Sequence, residues 1–168
     1  MLMKKYGVLQ YMRLSCAIFF FFMMACTNKN VSVNNEQFSL KDSVKFFAAT
    51  IEKDLAHNGP KAWLTYFATT PDFFMASDGK LVFPDHKHAA DFINDTLSAS
   101  LKNISLKWND IRIDSITPSI AMMAASFNEI LTDISNKQMP FNGYFTGLVQ
   151  HTGKGWQLRN AHWSIAKN

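Results

Sequence analysis

The sequence predicts an α+β fold in which helices gather on one face of a sheet of long antiparallel strands. Apolar residues recur with the period of a helix over residues 40–57. From Ile104 onward the period changes to two, which is typical of strands. The last thirty residues, 139–168, have the pattern of two aromatic-rich strands, and Gly153 and Gly155 supply the backbone freedom that their turn needs. Helices that precede a run of strands, rather than alternating with them, indicate this class.

Three helices are predicted before the long strands. Residues 40–57 form the first, because Ser39 and Asp42 make a capping arrangement ahead of an apolar stripe. The stripe consists of Leu40, Val44, Phe47, Ala48, Ile51 and Leu55. Pro60 suits the first turn of a second, short helix, where a missing amide hydrogen is no loss. Its aromatic residues are Trp63, Tyr66 and Phe67. Asp85 caps a third helix, whose apolar face consists of Ala89, Ala90, Phe92, Ile93 and Leu97.

A small hairpin and four long strands complete the prediction. Asp78 and Gly79 lie between two short apolar runs, and Asp-Gly is a strong turn signal. Two long strands follow at 104–116 and 120–134, and the closing pair makes four. Because side chains alternate between the two faces of a strand, six residues of the first long strand are predicted to share one face: Leu106, Trp108, Asp110, Arg112, Asp114 and Ile116. If no bulge intervenes, one face of the last strand carries Trp156, Leu158, Asn160, His162 and Ser164.

The chain begins with the pattern of an export signal. Three basic residues precede an apolar run, 14–25, that is too short to span a bilayer. The sequence Met-Met-Ala-Cys at 23–26 resembles the lipobox of bacterial lipoproteins, in which the cysteine is lipidated. This resemblance implies a membrane anchor on Cys26 and a location in the bacterial cell envelope, facing the periplasm or the cell surface. A simple cleaved signal or an N-terminal membrane anchor is the alternative.

The predicted organisation has three parts. Residues 1–25 are a lipoprotein signal peptide, and residues 26–38, which are polar and rich in Asn and Ser, are a flexible tether. Residues 39–168 form a single folded domain.

Charge and cysteine usage exclude several classes of function. The formal net charge is +4, but residues 1–25 hold three of the seventeen basic residues and none of the thirteen acidic ones, so the remainder carries only +1. Nucleic-acid binding is therefore not predicted. Cys16 and Cys26 are the two cysteines of the chain, so the predicted domain has no thiol for a disulfide, a metal or a nucleophile. The sequence has no cofactor-binding motif, and no cofactor is predicted.

From Leu40 to Ile165 the chain resembles the nuclear transport factor 2-like superfamily, specifically its SnoaL-like bacterial branch. The order and spacing of several motifs carry the resemblance: Trp63 with Tyr66 and Phe67, Asp72-Phe73-Phe74, Trp108, Ile120-Ala121, residues 143–149, Gly155-Trp156-Gln157-Leu158 and His162-Trp163-Ser164. The resemblance implies a cone-shaped, curved antiparallel sheet wrapped around about three N-terminal helices. It also implies a pocket that is an active site in some members and an empty or ligand-binding cavity in others.

His162 is the best catalytic candidate, because a histidine facing the cone could carry a proton. The alternative is a buried histidine bonded to a neighbouring side chain. The residues predicted to line the pocket are Trp63, Tyr66, Phe74, Trp108, Thr146, Asn160, His162 and Ser164. Glu129 is the one carboxylate in the middle of its strand, and the face on which it lies stays open.

Two other polar clusters are interpreted as structural. Asp110, Arg112 and Asp114 occupy consecutive same-face positions, a pattern more typical of a solvated face than of a catalytic triad. His86 and His88 are two residues apart, which puts them on different sides of a helix, so no metal site is predicted.

The leading hypothesis is a lipid-anchored domain that binds a small apolar or amphipathic molecule, or a protein partner, without chemistry. The first alternative is an isomerase, dehydratase or hydrolase of the SnoaL-like type, with His162 as proton carrier and Tyr66 or Asn160 as polarising donor. The second is a dimerisation or interaction module, with a homodimer formed through the sheet and Phe145 and Trp163 exposed on its outer face.

Overall fold

The computed structural model describes residues 32–167. The predicted signal peptide, Cys26 and about half of the predicted tether lie outside the described residues. Residues 36–168 form one unit by their internal contacts, and the sheet belongs to this unit. No helix among the described residues is both long enough and apolar enough to cross a bilayer.

Helix α1 runs over Ser32–Asn58, so it begins eight residues before the predicted start at 40. Its predicted apolar stripe is confirmed, because all six side chains, from Leu40 to Leu55, are buried in the core. Polar bonds tie the helix to the sheet as well. The Glu52 carboxylate accepts a hydrogen bond of 2.6 Å from the backbone N–H of Trp108. The helix therefore fills the concave side of the sheet.

The short elements follow as predicted. A 3₁₀ turn (Pro60–Ala62) leads into α2 (Trp63–Tyr66), and the hairpin consists of β1 (Phe74–Ser77) and β2 (Lys80–Phe83). The Asp85 side chain caps α3 (His86–Asp91) by accepting from the backbone N–H of His88. A π-helical segment (Phe92–Leu97) and α4 (Ser98–Ser100) continue this helical stretch to the first long strand.

The four long strands are β3 (Leu101–Thr117), β4 (Ile120–Asp133), β5 (Gln138–Thr152) and β6 (Gly155–Ile165). The sheet order is β2-β1-β6-β5-β4-β3. The α+β class is confirmed, but the sheet is mixed, because β1 pairs with β6 in parallel. The chain that leaves α2 already runs alongside β6, where the backbone N–H of Ala68 donates to the carbonyl of Leu158 over 2.8 Å. It keeps that direction into β1.

A bulge in β3 changes which residues face the core. Asp110 has a φ of 52°, and the pairing with β4 shifts between Asn109 and Arg112. The extra residue reverses the alternation, so Trp108 is buried whereas Arg112 and Asp114 are exposed. The predicted common face for Trp108 and these charged residues is therefore wrong, and the charged residues lie on the solvated face of the sheet.

A second bulge lies in β6 at Arg159. Val149 pairs with Leu158, but the preceding residue of β5 pairs with Asn160, so Arg159 is the extra residue. Its guanidinium bonds the carboxylate of Asp72. Leu158 faces the core before the bulge, and the alternation is reversed after it. The outer face of the sheet therefore carries Asn160, His162 and Ser164, and the prediction that these residues face inward is wrong.

Candidate functional site

A cavity of about 150 Å³ lies on the inner side of the sheet, between the hairpin, α2 and the π-helical segment. Its lining consists of Trp63, Phe67, Met75, Phe83, Phe92, Ile93, Leu97, Glu129 and Trp163. Eight of these nine side chains are apolar or aromatic. Glu129 is therefore the one ionisable group in the lining.

Strand β4 positions this carboxylate by simple alternation. Ala121, Met123, Ala125 and Phe127 are buried on its inner face, and Glu129 is the next residue in that series. Its neighbours across the sheet are Leu106 on β3 and Phe141 on β5, both apolar. Burial among these groups raises the pKa of the Glu129 carboxyl from 4.5 to about 7. Near neutral pH the group can therefore both donate and accept a proton.

A cluster of aromatic rings packs beside and behind the cavity. Trp163 is the centre of this cluster, with its ring centroid 5.7 Å from Trp63, 5.5 Å from Trp108 and 4.8 Å from Phe127. Edge-to-face and tilted contacts at these distances hold the rings in place. The buried indole N–H of Trp108 has no hydrogen-bond partner among the described residues. The cluster is therefore apolar apart from its indole N–H groups.

The fold matches several solved structures at low sequence identity. The scytalone dehydratase-like protein of Novosphingobium aromaticivorans superposes with a TM-score of 0.68 and 10% identity, over 80% of this chain and 89% of that chain. A nuclear transport factor 2-like superfamily protein from Salmonella enterica gives 0.58 and 13%, over 81% and 94%. The chain has the nuclear transport factor 2-like fold.

A third structure with this fold is the type 3 hexachlorocyclohexane dehydrochlorinase of Novosphingobium barchaimii, with a TM-score of 0.61 and 7% identity over 80% of this chain and 91% of that one. No protein-family model matches the sequence, and no curated protein matches it. The resemblance inferred from the motifs is thus confirmed for the fold. At these identities the likeness carries no activity, because one fold hosts many functions.

Within the nuclear transport factor 2-like fold, the inner side of the cone holds three of the predicted pocket residues. Trp63 lines the cavity. Trp108 lies in the aromatic cluster behind it and is not part of the lining. Tyr66 is buried, and its hydroxyl donates a hydrogen bond to the Asp54 carboxylate on α1. Burial and this bond raise the pKa of Tyr66 well above its ordinary value. The phenol therefore joins two helices.

The other predicted pocket residues lie together on the outer face of the sheet. A shallow concavity there is lined by Phe74, Thr146, Asn160 and His162, with Met122 and Leu148 beside them. Ser164 lines a neighbouring concavity on the same face. Parallel pairing of β1 with β6 and the bulge at Arg159 explain this grouping. These residues are neighbours, as predicted, but on the side of the sheet away from the cone.

The predicted outer-face aromatic residues are also on the opposite side. Phe145 is fully buried, and Trp163 lines the inner cavity. The exposed rings of the outer face are those of Phe74 and Tyr144, each 43% exposed. The face of Glu129 was left open by the sequence analysis. It could have been predicted, because alternate apolar residues of β4 up to Phe127 are buried and Glu129 is next in that series.

Proposed function

We propose that the domain binds a small, mostly apolar molecule in the inner cavity, with one polar group of the ligand against Glu129, and that it performs no chemistry on it. The observation that carries the proposal is an apolar cavity with a single carboxyl that has no hydrogen-bond partner among the described residues. A carboxyl that is partly withdrawn from water and has no hydrogen-bond partner is less well stabilised than one that has a partner. A ligand that reaches the carboxyl supplies that partner.

The volume limits the size of the ligand. Pockets for drug-sized molecules occupy roughly 300–1,000 Å³, whereas a cavity of about 150 Å³ in another protein accepts benzene. The present cavity has that smaller volume. The part of a ligand that the cavity can enclose is therefore about one ring or a short branched chain.

The composition of the lining favours binding over catalysis. Acid–base chemistry needs a second polar group near the same point, either to polarise the substrate or to return a proton. Besides Glu129, the polar groups of the lining residues are the indole N–H groups of Trp63 and Trp163, which can donate a hydrogen bond but cannot accept or return a proton. His162 and Asn160 lie on the outer face, and the Tyr66 hydroxyl is engaged by Asp54. The groups that the enzymatic alternative requires, His162 with Tyr66 or Asn160, therefore do not meet in the inner cavity.

The test uses the Cys26→Ser protein and small probes such as benzyl alcohol, with binding followed by the fluorescence of Trp163 and its neighbours. Leu97 lines the cavity, and Leu97→Trp fills it. We expect this variant to lose binding. Ile134 is 71% exposed and lies outside the lining, so Ile134→Trp is the matched control and is expected to bind normally. Equal binding by both variants would refute an inner site.

We also propose that lipid on Cys26 holds the domain at the membrane of the bacterial cell envelope. The motif at 23–26 and the short apolar run before it support this proposal. Cys26→Ser is expected to abolish incorporation of labelled palmitate and to move the protein from the membrane to the soluble fraction. Cys16→Ser removes the other cysteine and is expected to change neither. Labelling that survives Cys26→Ser would contradict the proposal.

A further inference from the structure

We propose that the ligand of the inner cavity is a small organic cation of the alkylammonium class, held by aromatic rings and by the carboxylate of Glu129. This inference rests on the proposed function, because it requires that the cavity hold a ligand. It goes further in stating the charge of that ligand. A quaternary or substituted ammonium group is the chemistry that the lining complements.

Aromatic rings make up most of the cavity lining. Five of the nine lining residues are aromatic: Trp63, Phe67, Phe83, Phe92 and Trp163. They come from five different parts of the chain: α2, the segment that follows it, the hairpin, the π-helical segment and β6. The face of an aromatic ring carries partial negative charge and attracts a cation, most strongly when both are out of water. An uncharged apolar ligand gains nothing from this property.

The lining also contains one carboxylate, that of Glu129. Glu129 is the only ionisable residue in the lining, and each element around it faces it with uncharged groups. These are Leu106 on β3, Phe141 on β5, Trp163 on β6, Trp63 on α2, Met75 and Phe83 on the hairpin, and Phe92, Ile93 and Leu97 on the π-helical segment. Buried charges in proteins are paired. None of these residues carries a positive charge, so a cationic ligand would be the counter-charge of Glu129.

Binding of a cation is coupled to the ionisation of Glu129. Without a ligand, burial favours the neutral carboxyl and raises its pKa to about 7. A cation beside the group favours the carboxylate, so binding below neutral pH releases one proton. Affinity for a permanent cation is then expected to rise about tenfold per pH unit between about pH 5 and pH 7 and to level off above that range. A neutral ligand that hydrogen-bonds the protonated carboxyl would show the opposite trend.

The experiment compares two probes of the same shape, choline and its uncharged carbon isostere 3,3-dimethylbutan-1-ol, by calorimetry on the full chain carrying Cys26→Ser. Above pH 7, choline is expected to bind roughly tenfold more tightly or better. Its affinity is expected to fall about a hundredfold on going to pH 5, with one proton released per choline bound. Phosphocholine, which carries the same cation on a phosphate, distinguishes a lipid headgroup from a free cation.

Glu129→Gln keeps the shape of the side chain and removes its charge. In this variant choline is expected to lose most of its advantage over the isostere, keeping only the part that the rings supply, and neither affinity is expected to depend on pH. Trp63→Phe keeps a ring of lower cation affinity and is expected to weaken choline binding more than binding of the isostere. If the isostere binds to the wild-type chain as tightly as choline at every pH, the cation inference fails and the proposed function stands. If choline does not bind, the cation inference fails, and if benzyl alcohol does not bind either, the proposed function fails as well.

Discussion

Replacing Glu129 by glutamine is expected to stabilise the domain above neutral pH and to leave its stability near pH 4 almost unchanged. The wild-type carboxyl is buried among apolar groups, which raises its pKa from 4.5 to about 7. Glutamine has nearly the same shape and carries no titrating proton. The substitution therefore isolates the contribution of one ionisation.

The pH range follows from the two pKa values. Below pH 4.5 the carboxyl is protonated in the folded and unfolded states, so it adds no pH dependence. Between pH 4.5 and about 7 the unfolded chain loses the proton while the folded domain keeps it, and the free energy of unfolding falls as pH rises. The total loss is about 3 kcal/mol, because each unit of pKa corresponds to about 1.4 kcal/mol. Above about pH 7 the loss is complete.

The assay is urea unfolding of the wild type and of Glu129→Gln at several pH values, with the difference in unfolding free energy plotted against pH. We expect this difference to rise from near zero to about 3 kcal/mol in favour of the variant, or about 10 °C in melting temperature. Asp114→Asn makes the same carboxylate-to-amide change on the exposed face and serves as a control. A difference between wild type and Glu129→Gln that does not vary with pH would refute burial of the carboxylate.

Three further substitutions test the packing around the site, each by urea unfolding. Gly143→Ala would put a methyl group 1.9 Å from a carbonyl oxygen of β6, so we expect the free energy of unfolding to fall by more than about 3 kcal/mol. Gly153→Ala, whose methyl group would meet nothing within 4 Å, is the control and should be tolerated. Equal stability of the two variants would be inconsistent with the pairing of β5 and β6. Glu52→Ala leaves the backbone N–H of Trp108 without its acceptor and should lower the free energy of unfolding by about 2 kcal/mol. Glu52→Gln keeps an acceptor oxygen and should lower it by less. A larger loss for Glu52→Gln than for Glu52→Ala would contradict the role of Glu52 as this acceptor. Tyr66→Phe should cost about 1 kcal/mol for its hydrogen bond to α1, and no loss would mean that the ring alone matters.

Local patterns in the sequence predicted the elements correctly, because each depends on neighbours a few residues apart. The buried stripe of α1, the Asp78-Gly79 turn and the cap at Asp85 are all of this kind. Strand β4 has no bulge, so counting along it from Phe127 gives the correct inward face for Glu129. The same count fails wherever an extra residue enters a strand.

The two bulges explain the errors on the site. Asp110 has a positive φ, which asparagine and aspartate adopt more readily than most other residues. The Asn109-Asp110 pair inside a strand therefore indicates that a bulge is possible there. Arg159 offers no such warning, since its neighbours Leu158 and Asn160 read as ordinary strand residues. The parallel pairing of β1 with β6 depends on residues far apart in the sequence, which no local periodicity reports. His162 was therefore assigned to the wrong face by a single residue.

The central position of β6 also determines when the domain can form. β6 lies between β5 and β1, so the hairpin made early in the chain has no sheet to join until the strand ending at Ile165 has been synthesised. Two short strands alone are at best marginally stable in water. The cavity, which needs walls from the hairpin and from β6, is thus completed late in folding. Until then Phe83, Phe92 and Trp163 have no cavity to line, and the unfinished chain exposes apolar surface that favours aggregation.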